Sequence, residues 1–261
     1  MNIIALTCLA MDLYPDHNLE YVGGNAVNVA TQCKRSGVAD VAALGAIGTD
    51  AYGDAILHHL EFEGIDASHV YRLKGATATH QLYLTKGDRQ EQPGLWQGGV
   101  YNLFRLSDKD WDFVNTYDIV AIGAFDPNFE EAMLRLAPQC KLVANFLDTR
   151  DFVHLEKHIN RIAVAVMSGT RGDVARARAL SSQHDTLILI TLGEEGSAAL
   201  FNGAEVFQPA LPVAQVVDTT GCGDAFQAAF VVSWFHNHNL KQAMEAGADA
   251  AAKTLTHFGG V

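Results

Sequence analysis

Positive charge is scarce in this chain: 18 lysines and arginines stand against 30 aspartates and glutamates, for a formal net charge of −12. Such an acidic protein is a poor partner for nucleic acid or an anionic membrane surface, although a local nest of backbone N–H groups can still bind phosphate. Cysteine is sparse too. Cys8, Cys33, Cys140 and Cys222 form no CxxC pair, which excludes the usual zinc and dithiol redox spacings and predicts buried free thiols in a reducing cytosol. No apolar run reaches about 18 residues, so no membrane span is expected. The apolar opening lacks a basic segment and is interrupted by Asp12, which predicts a first β-strand in place of a leader and a cytoplasmic protein. Two nucleotide motifs are missing as well. Without GxxxxGK[ST] the chain is not a P-loop enzyme, and without G-x-G-x-x-G after the first strand a dehydrogenase is disfavoured.

What is present is an α/β pattern. The chain is 49% hydrophobic and 18% charged, enough to bury a large core in one domain. Short apolar runs at Asn2–Leu9, Val38–Ala46, Asp118–Ile122, Lys141–Phe146, Ile162–Met167 and Thr186–Thr191 alternate with helical stretches. That alternation predicts a three-layer α/β/α fold around a mainly parallel sheet. Leu13–Asp16 reads as a turn. Thr77–Val100 changes character, with alternation and broken glycines. Residues 13–22 and 76–101 are therefore expected to form a small β lid on a single domain spanning 1–261. His58-His59 and His236-Asn237-His238 are expected to serve surface or capping roles, not metal binding.

Chemistry concentrates in Val217–Phe226. Gly221 and Gly223 flank Cys222, and Asp224 opens a long apolar helix. Glycine allows left-handed backbone, and a helix start offers unpaired N–H groups, so the segment is an anion site. A carboxylate there is poorly placed to bind the anion but well placed to take a proton from a hydroxyl that attacks it. The reading is phosphoryl transfer to an alcohol with Asp224 as general base. Asp12 falls past the end of the first strand, where open α/β sheets bind ligands. Gly23-Gly24-Asn25-Ala26-Val27-Asn28 permits a sharp helix entry. Asn25 can cap that helix, and the amides of Asn25 and Asn28 can grip sugar hydroxyls. Thr191–Gly196 is a glycine-bounded loop at a strand end.

Asp218–Phe226 resembles the second signature of the ribokinase family, the phosphofructokinase-B type of carbohydrate kinases. Gly23–Ala30, followed by Gly45 and Ile47–Gly53, resembles its first region, and the match runs along nearly the whole chain. The resemblance implies Asp224 as catalytic base, Gly221, Cys222 and Gly223 as the anion hole, and Asp12, Gly24, Asn25 and Asn28 on the sugar. It further implies Thr191, Gly193, Gly196 and Thr219 on the nucleotide, and Ala248–Thr256 as a wall of the adenine pocket. ATP and Mg2+ are the implied cofactors, with K+ or another monovalent cation near Asp218, and the lid is implied to carry homodimer contacts.

Met11–Pro15 and Ala251–Gly259 look closest to the fructosamine-kinase branch. That implies transfer of the ATP γ-phosphate to the 6-hydroxyl of fructoselysine or a related fructosamine. Another ketose, a nucleoside, or a non-catalytic sugar-binding role on the same fold are the alternatives. Two segments depart from the family pattern. Thr7–Met11 stands where a Gly-Asp/Glu-Asn-like group usually precedes the substrate acid, and Met167–Asp173 stands where an Asn-x-x-Glu element usually organises Mg2+.

Overall fold

The structure, a computed structural model, describes residues 1–90 and 94–261, so positions 91–93 of the expected β lid lie outside the described residues. In chain order the strands are β1 Asn2–Thr7, β2 Ala10–Tyr14, β3 Leu19–Gly23, β4 Asp40–Ile47, β5 Asp66–Arg72, β6 Ala78–Gln81, β7 Leu84–Thr85, β8 Asp88–Arg89, β9 Trp96–Gln97, β10 Ile119–Gly123, β11 Lys141–Asn145, β12 Val164–Ser168, β13 Leu187–Thr191, β14 Ser197–Phe201 and β15 Ala204–Gln208. The α-helices are α1 Asn25–Arg35, α2 Ala51–Phe62, α3 Asp108–Val114, α4 Phe129–Arg135, α5 Phe152–His158, α6 Arg171–Ser181, α7 Cys222–Asn237 and α8 Leu240–Thr254.

The main sheet has nine strands in the order β15-β14-β13-β12-β11-β10-β1-β4-β5, parallel except where β14 and β15 fold back as a hairpin. Its strands are near-continuous apolar runs because both faces are covered. Ile4, Leu6, Ala42 and Leu44 face a core closed by α3 to α6, through Trp111, Phe129, Leu155 and Ala177. Their sequence neighbours Ile3, Ala5, Val41 and Ala43 face the opposite core, closed by α1, α2, α7 and α8 through Val27, Ile56, Phe230 and Met244. Local chemistry agrees with these elements. Asp50 accepts the Gly53 N–H at 3.0 Å to cap α2, Ser107 and Asp110 form a reciprocal capping box on α3, and Asn202 and Gly203 both take positive φ in the β14–β15 turn.

A separate four-stranded sheet, β3-β2-β6-β9, is built from the segments on either side of β4 and β5. Here the apolar pattern misleads at two points. The run Asn2–Leu9 reads as one strand, but β1 stops at Thr7, whose φ of +79° leaves the extended region. Close hydrogen bonds from Cys8 N to Leu6 O (3.2 Å) and from Leu9 N to Thr7 O (2.9 Å) turn the chain into the second sheet. Such a conformation is unfavourable for threonine and persists where surroundings fix it; Thr7 is fully buried and its hydroxyl donates to Asp126. Leu13 and Tyr14, expected in a turn, belong to β2, and the turn begins at Pro15.

Candidate active site

β1 lies between β4 and β10, so the chain winds outward in both directions from this point. A crevice outside the strand carboxyl ends is the outcome of that topology. α7 points its N-terminus there. Gly221 has φ +72° and precedes the helix; the Ala225 N–H returns to the Gly221 carbonyl at 2.9 Å. The N–H groups of the first turn are therefore the donors that a helix start leaves without intrahelical partners.

Asp224 is half-buried in that turn. Its Oδ1 accepts from Asn25 Nδ2 at 2.5 Å and its Oδ2 from Asn28 Nδ2 at 2.8 Å. This corrects the expected capping role of Asn25: α1 is preceded by Gly24 without any side-chain cap among the described residues, and Asn25 and Asn28 turn their amides onto the Asp224 carboxylate. Burial raises the Asp224 pKa, opposed by these two amides and by the charge of Arg89. The carboxylate is thus basic yet fixed in direction. Asn28 Oδ1 is buried and has no hydrogen-bond partner among the described residues, which leaves an acceptor beside the Asp224 carboxylate.

Asp12 comes from β2 and is 4% exposed. Gly23, opposite it on β3, makes its position possible: a Cβ there would lie 2.1 Å from Asp12 Oδ2. Gly24, with φ +87°, lets the chain pass against the Cys8 carbonyl, which a Cβ would meet at 2.6 Å. Burial, then the Asp218 and Asp224 charges, push the Asp12 carboxyl up to about 7, with Arg89 opposing. The fold thus favours the protonated form over a wide pH range. The associated stability is whole below the unfolded value of 3.8 and is lost as pH climbs through about 7. Asp12→Asn abolishes that titration. Its stability relative to the unaltered protein is expected to improve by about 2–3 kcal/mol between about pH 5 and pH 8. Thermal unfolding across that range checks this, and a difference that stays constant with pH would mean that Asp12 titrates normally.

Among the residues expected on the nucleotide, Thr191 ends β13 and donates to Ser168 Oγ at 3.2 Å. Gly193 and Gly196 both have positive φ; a Cβ on Gly196 would strike the Gln208 carbonyl at 2.1 Å. Thr219 is covered by the β7–β8 hairpin, its N–H donating to Gly87 O at 3.1 Å. Arg171, at the start of α6, is paired with Glu195 at 2.5 Å.

The ions implied by family resemblance meet a mixed donor set. In Met167–Asp173 the only acid is Asp173, and its Oδ2 accepts both the N–H and the hydroxyl of Thr170 at 2.7 and 2.8 Å. That carboxylate caps α6 and does not fit as an organiser of Mg2+. Asp218, expected beside a monovalent cation, is fully buried and already receives three donors: the Thr220 N–H at 2.9 Å, the Gly259 N–H at 3.0 Å and the Tyr14 hydroxyl. This donor set does not fit a cation.

Sequence reasoning missed Arg89 and the reach of Tyr14 to Asp218, and read Gly23 only as part of a helix entry. Arg89 N donates to Thr219 Oγ1 at 3.3 Å, and its positive charge lowers the pKa values of Asp12, Asp224 and Cys222. It supplies cationic charge to a site crowded with carboxylates. Its only signal in the sequence is a basic residue beside a hairpin turn. Cys222 is half-buried, burial pushes its thiol up to about 11, and its backbone N–H donates to the Thr219 carbonyl at 3.4 Å.

Comparison with known proteins follows the same lines. Residues 10–261 match the pfkB family carbohydrate kinase description. The chain is 34% identical to a fructoselysine 6-kinase of Shigella flexneri, over 95% of each chain. It is 26% identical to a fructosamine kinase of Bacillus subtilis, over 99% of this chain and 92% of that one. Among solved structures, an adenosine kinase from Sinorhizobium meliloti superposes with a TM-score of 0.83 at 19% identity, covering 99% of this chain and 95% of that one. A ribokinase of Arabidopsis thaliana bound to ribose and ATP gives 0.79 at 20%, covering 99% and 93%. At those identities the structures speak for a shared ribokinase-like fold.

Proposed function

The chain belongs to the pfkB family of carbohydrate kinases, and on that premise we propose that it moves the γ-phosphate of ATP to the 6-hydroxyl of fructoselysine or a related fructosamine. One observation carries the mechanism: the Asp224 carboxylate, raised in basicity by burial, is aimed by two amides at the mouth of a helix N-terminus. The sugar hydroxyl gives its proton to Asp224 as its oxygen attacks phosphorus. Bond formation to that oxygen and departure of ADP then proceed in line. Charge gathering on the transferred group is met by the first-turn N–H groups after Gly221 and by Arg89, donors already in place before the reaction.

Asp12, Gly24 and Asn28 line the acceptor side. A carboxyl near neutral pKa can donate to or accept from a sugar hydroxyl, and Asn28 Oδ1 is an acceptor without a partner among the described residues. Thr191, Gly193, Gly196 and Thr219 hold the nucleotide. The sheet β3-β2-β6-β9 covers the acceptor and excludes water that would otherwise receive the phosphate. The relatives named for fructoselysine and fructosamines support this acceptor over a plain ketose.

An ATP-turnover panel of fructoselysine, other fructosamines, free ketoses and nucleosides tests the assignment. Fructoselysine is expected to lead in kcat/KM by about tenfold or more over free fructose, since its extra polar groups must find partners for recognition. A free ketose or nucleoside at the head of the ranking would displace it.

A further inference from the structure

Asp218 opens the loop that ends at Asp224, and what neutralises it decides how firmly that loop is held. Its Oδ1 accepts the Thr220 N–H, one residue before Gly221. Its Oδ2 accepts the Gly259 N–H and the hydroxyl of Tyr14, which reaches across from β2. The Gly259 N–H also lies 3.2 Å from the Tyr14 oxygen, so the three groups form one closed knot. Tyr14 is 0% exposed and is wedged edge-on between Tyr21 and Phe258, with ring centroids 5.9 and 5.4 Å away.

The knot ties three parts of the chain together. Tyr14 belongs to the second sheet, Asp218 to the anion loop, and Gly259 to the C-terminal segment. The C-terminal segment in turn braces the loop from the other side: Gly260 Cα lies 2.3 Å from where a Gly221 Cβ would stand, and Gln32 Nε2 holds the Gly260 carbonyl at 3.1 Å. A buried carboxylate needs charge or hydrogen-bond donors around it. Here the protein supplies the donors, and hydrogens directed at the carboxylate repel a cation.

We propose that the Tyr14 phenol takes the part of a monovalent cation at Asp218, so that the enzyme works without K+ and Tyr14 is a positioning residue for the anion hole. Burial and the neighbouring Asp218 raise the phenol pKa far above its ordinary value, so the group remains a donor at every working pH. The positioning role rests on the kinase reading above; the indifference to cations does not, because it can be read from thermal unfolding alone.

The experiment compares KCl, NaCl and tetramethylammonium chloride at equal ionic strength. For the unaltered protein, Tm without ligands and kcat with the best acceptor are expected to be the same in all three. A Tm or kcat raised selectively by K+ overturns the proposal, and the Tm arm does so even if the acceptor is misassigned. Tyr14→Phe keeps the ring and removes the donor. It is expected to lower Tm by about 5 °C and kcat by about tenfold through a displaced anion hole, with ATP KM little changed. A lower Tm with kcat intact would reduce Tyr14 to a structural residue and overturn the positioning role. Should Tyr14→Phe fail to fold, the salt comparison on the unaltered protein still decides the question.

Discussion

Asp224→Asn should cost about 10²–10⁴ in kcat, the range that general-base catalysis supplies, with binding of a non-hydrolysable ATP analogue retained. The substitution is close to isosteric, and the surroundings can absorb it. Asn25 and Asn28 both donate to Asp224, and an amide at 224 offers one oxygen where the carboxylate offers two. Asn28 Oδ1 has no partner among the described residues, so rotation of the Asn28 amide would present an acceptor to the new NH2. The fold should therefore survive. Removing a carboxylate whose pKa is raised by burial also relieves a cost that grows as pH rises. The Asn variant should consequently hold or gain stability in mildly alkaline buffer while losing turnover. Steady-state kinetics with fructoselysine and a thermal melt check both halves. A kcat within about tenfold of the unaltered enzyme would remove Asp224 from the role of base.

Asp224 was legible in the sequence because its signal is local. Two glycines, an acid and an apolar helix follow one another within a few residues, and local patterns are what a sequence displays. The βα alternation was legible for the same reason: strands buried on both faces must be apolar throughout, as Leu187–Thr191 is. The partners of these features were not legible, because they arrive from far along the chain. The Tyr14 hydroxyl meets Asp218 across 204 positions and Asn25 meets Asp224 across 199. A capping asparagine and one that steers a carboxylate look identical until the helices α1 and α7 are brought side by side.

The break in the first strand belongs to the same class. Thr7 reads as an extended, β-branched residue, and its tie to Asp126, supplied by the segment after β10, helps to hold it at positive φ. The second sheet depended on that break. Once β1 ends at Thr7, Asp12 falls within β2 and its side chain enters the space left by Gly23. The sequence reading thus misjudged the strand that carries Asp12, placing the residue past the end of the first strand when it lies within the second.

Gly221→Ala is expected to be severely damaging to both stability and turnover. Two costs add. At φ +72° an L-residue is disfavoured by about 1–2 kcal/mol, and the new Cβ would stand 2.3 Å from Gly260 Cα, a backbone atom that cannot rotate away. Overpacking of this kind typically costs about 1–3 kcal/mol, for a combined loss of about 2–5 kcal/mol and a fall in Tm of about 5–15 °C. Relief would come from moving the loop, and the loop carries the N–H groups that meet the phosphoryl charge. A displacement of about 1 Å there is enough to lower turnover by about 10². Gly223→Ala provides the contrast. Nothing lies within 4 Å of its Cβ position, its φ is not positive, and it sits inside α7. Alanine at 223 should leave Tm unchanged or raise it slightly, since alanine is the better helix residue by about 1 kcal/mol. If the two variants melted together, the close approach of Gly260 would not be what confines the anion loop. If Gly221→Ala kept full turnover, the N–H groups that follow it would not be the ones that stabilise the transferring phosphate.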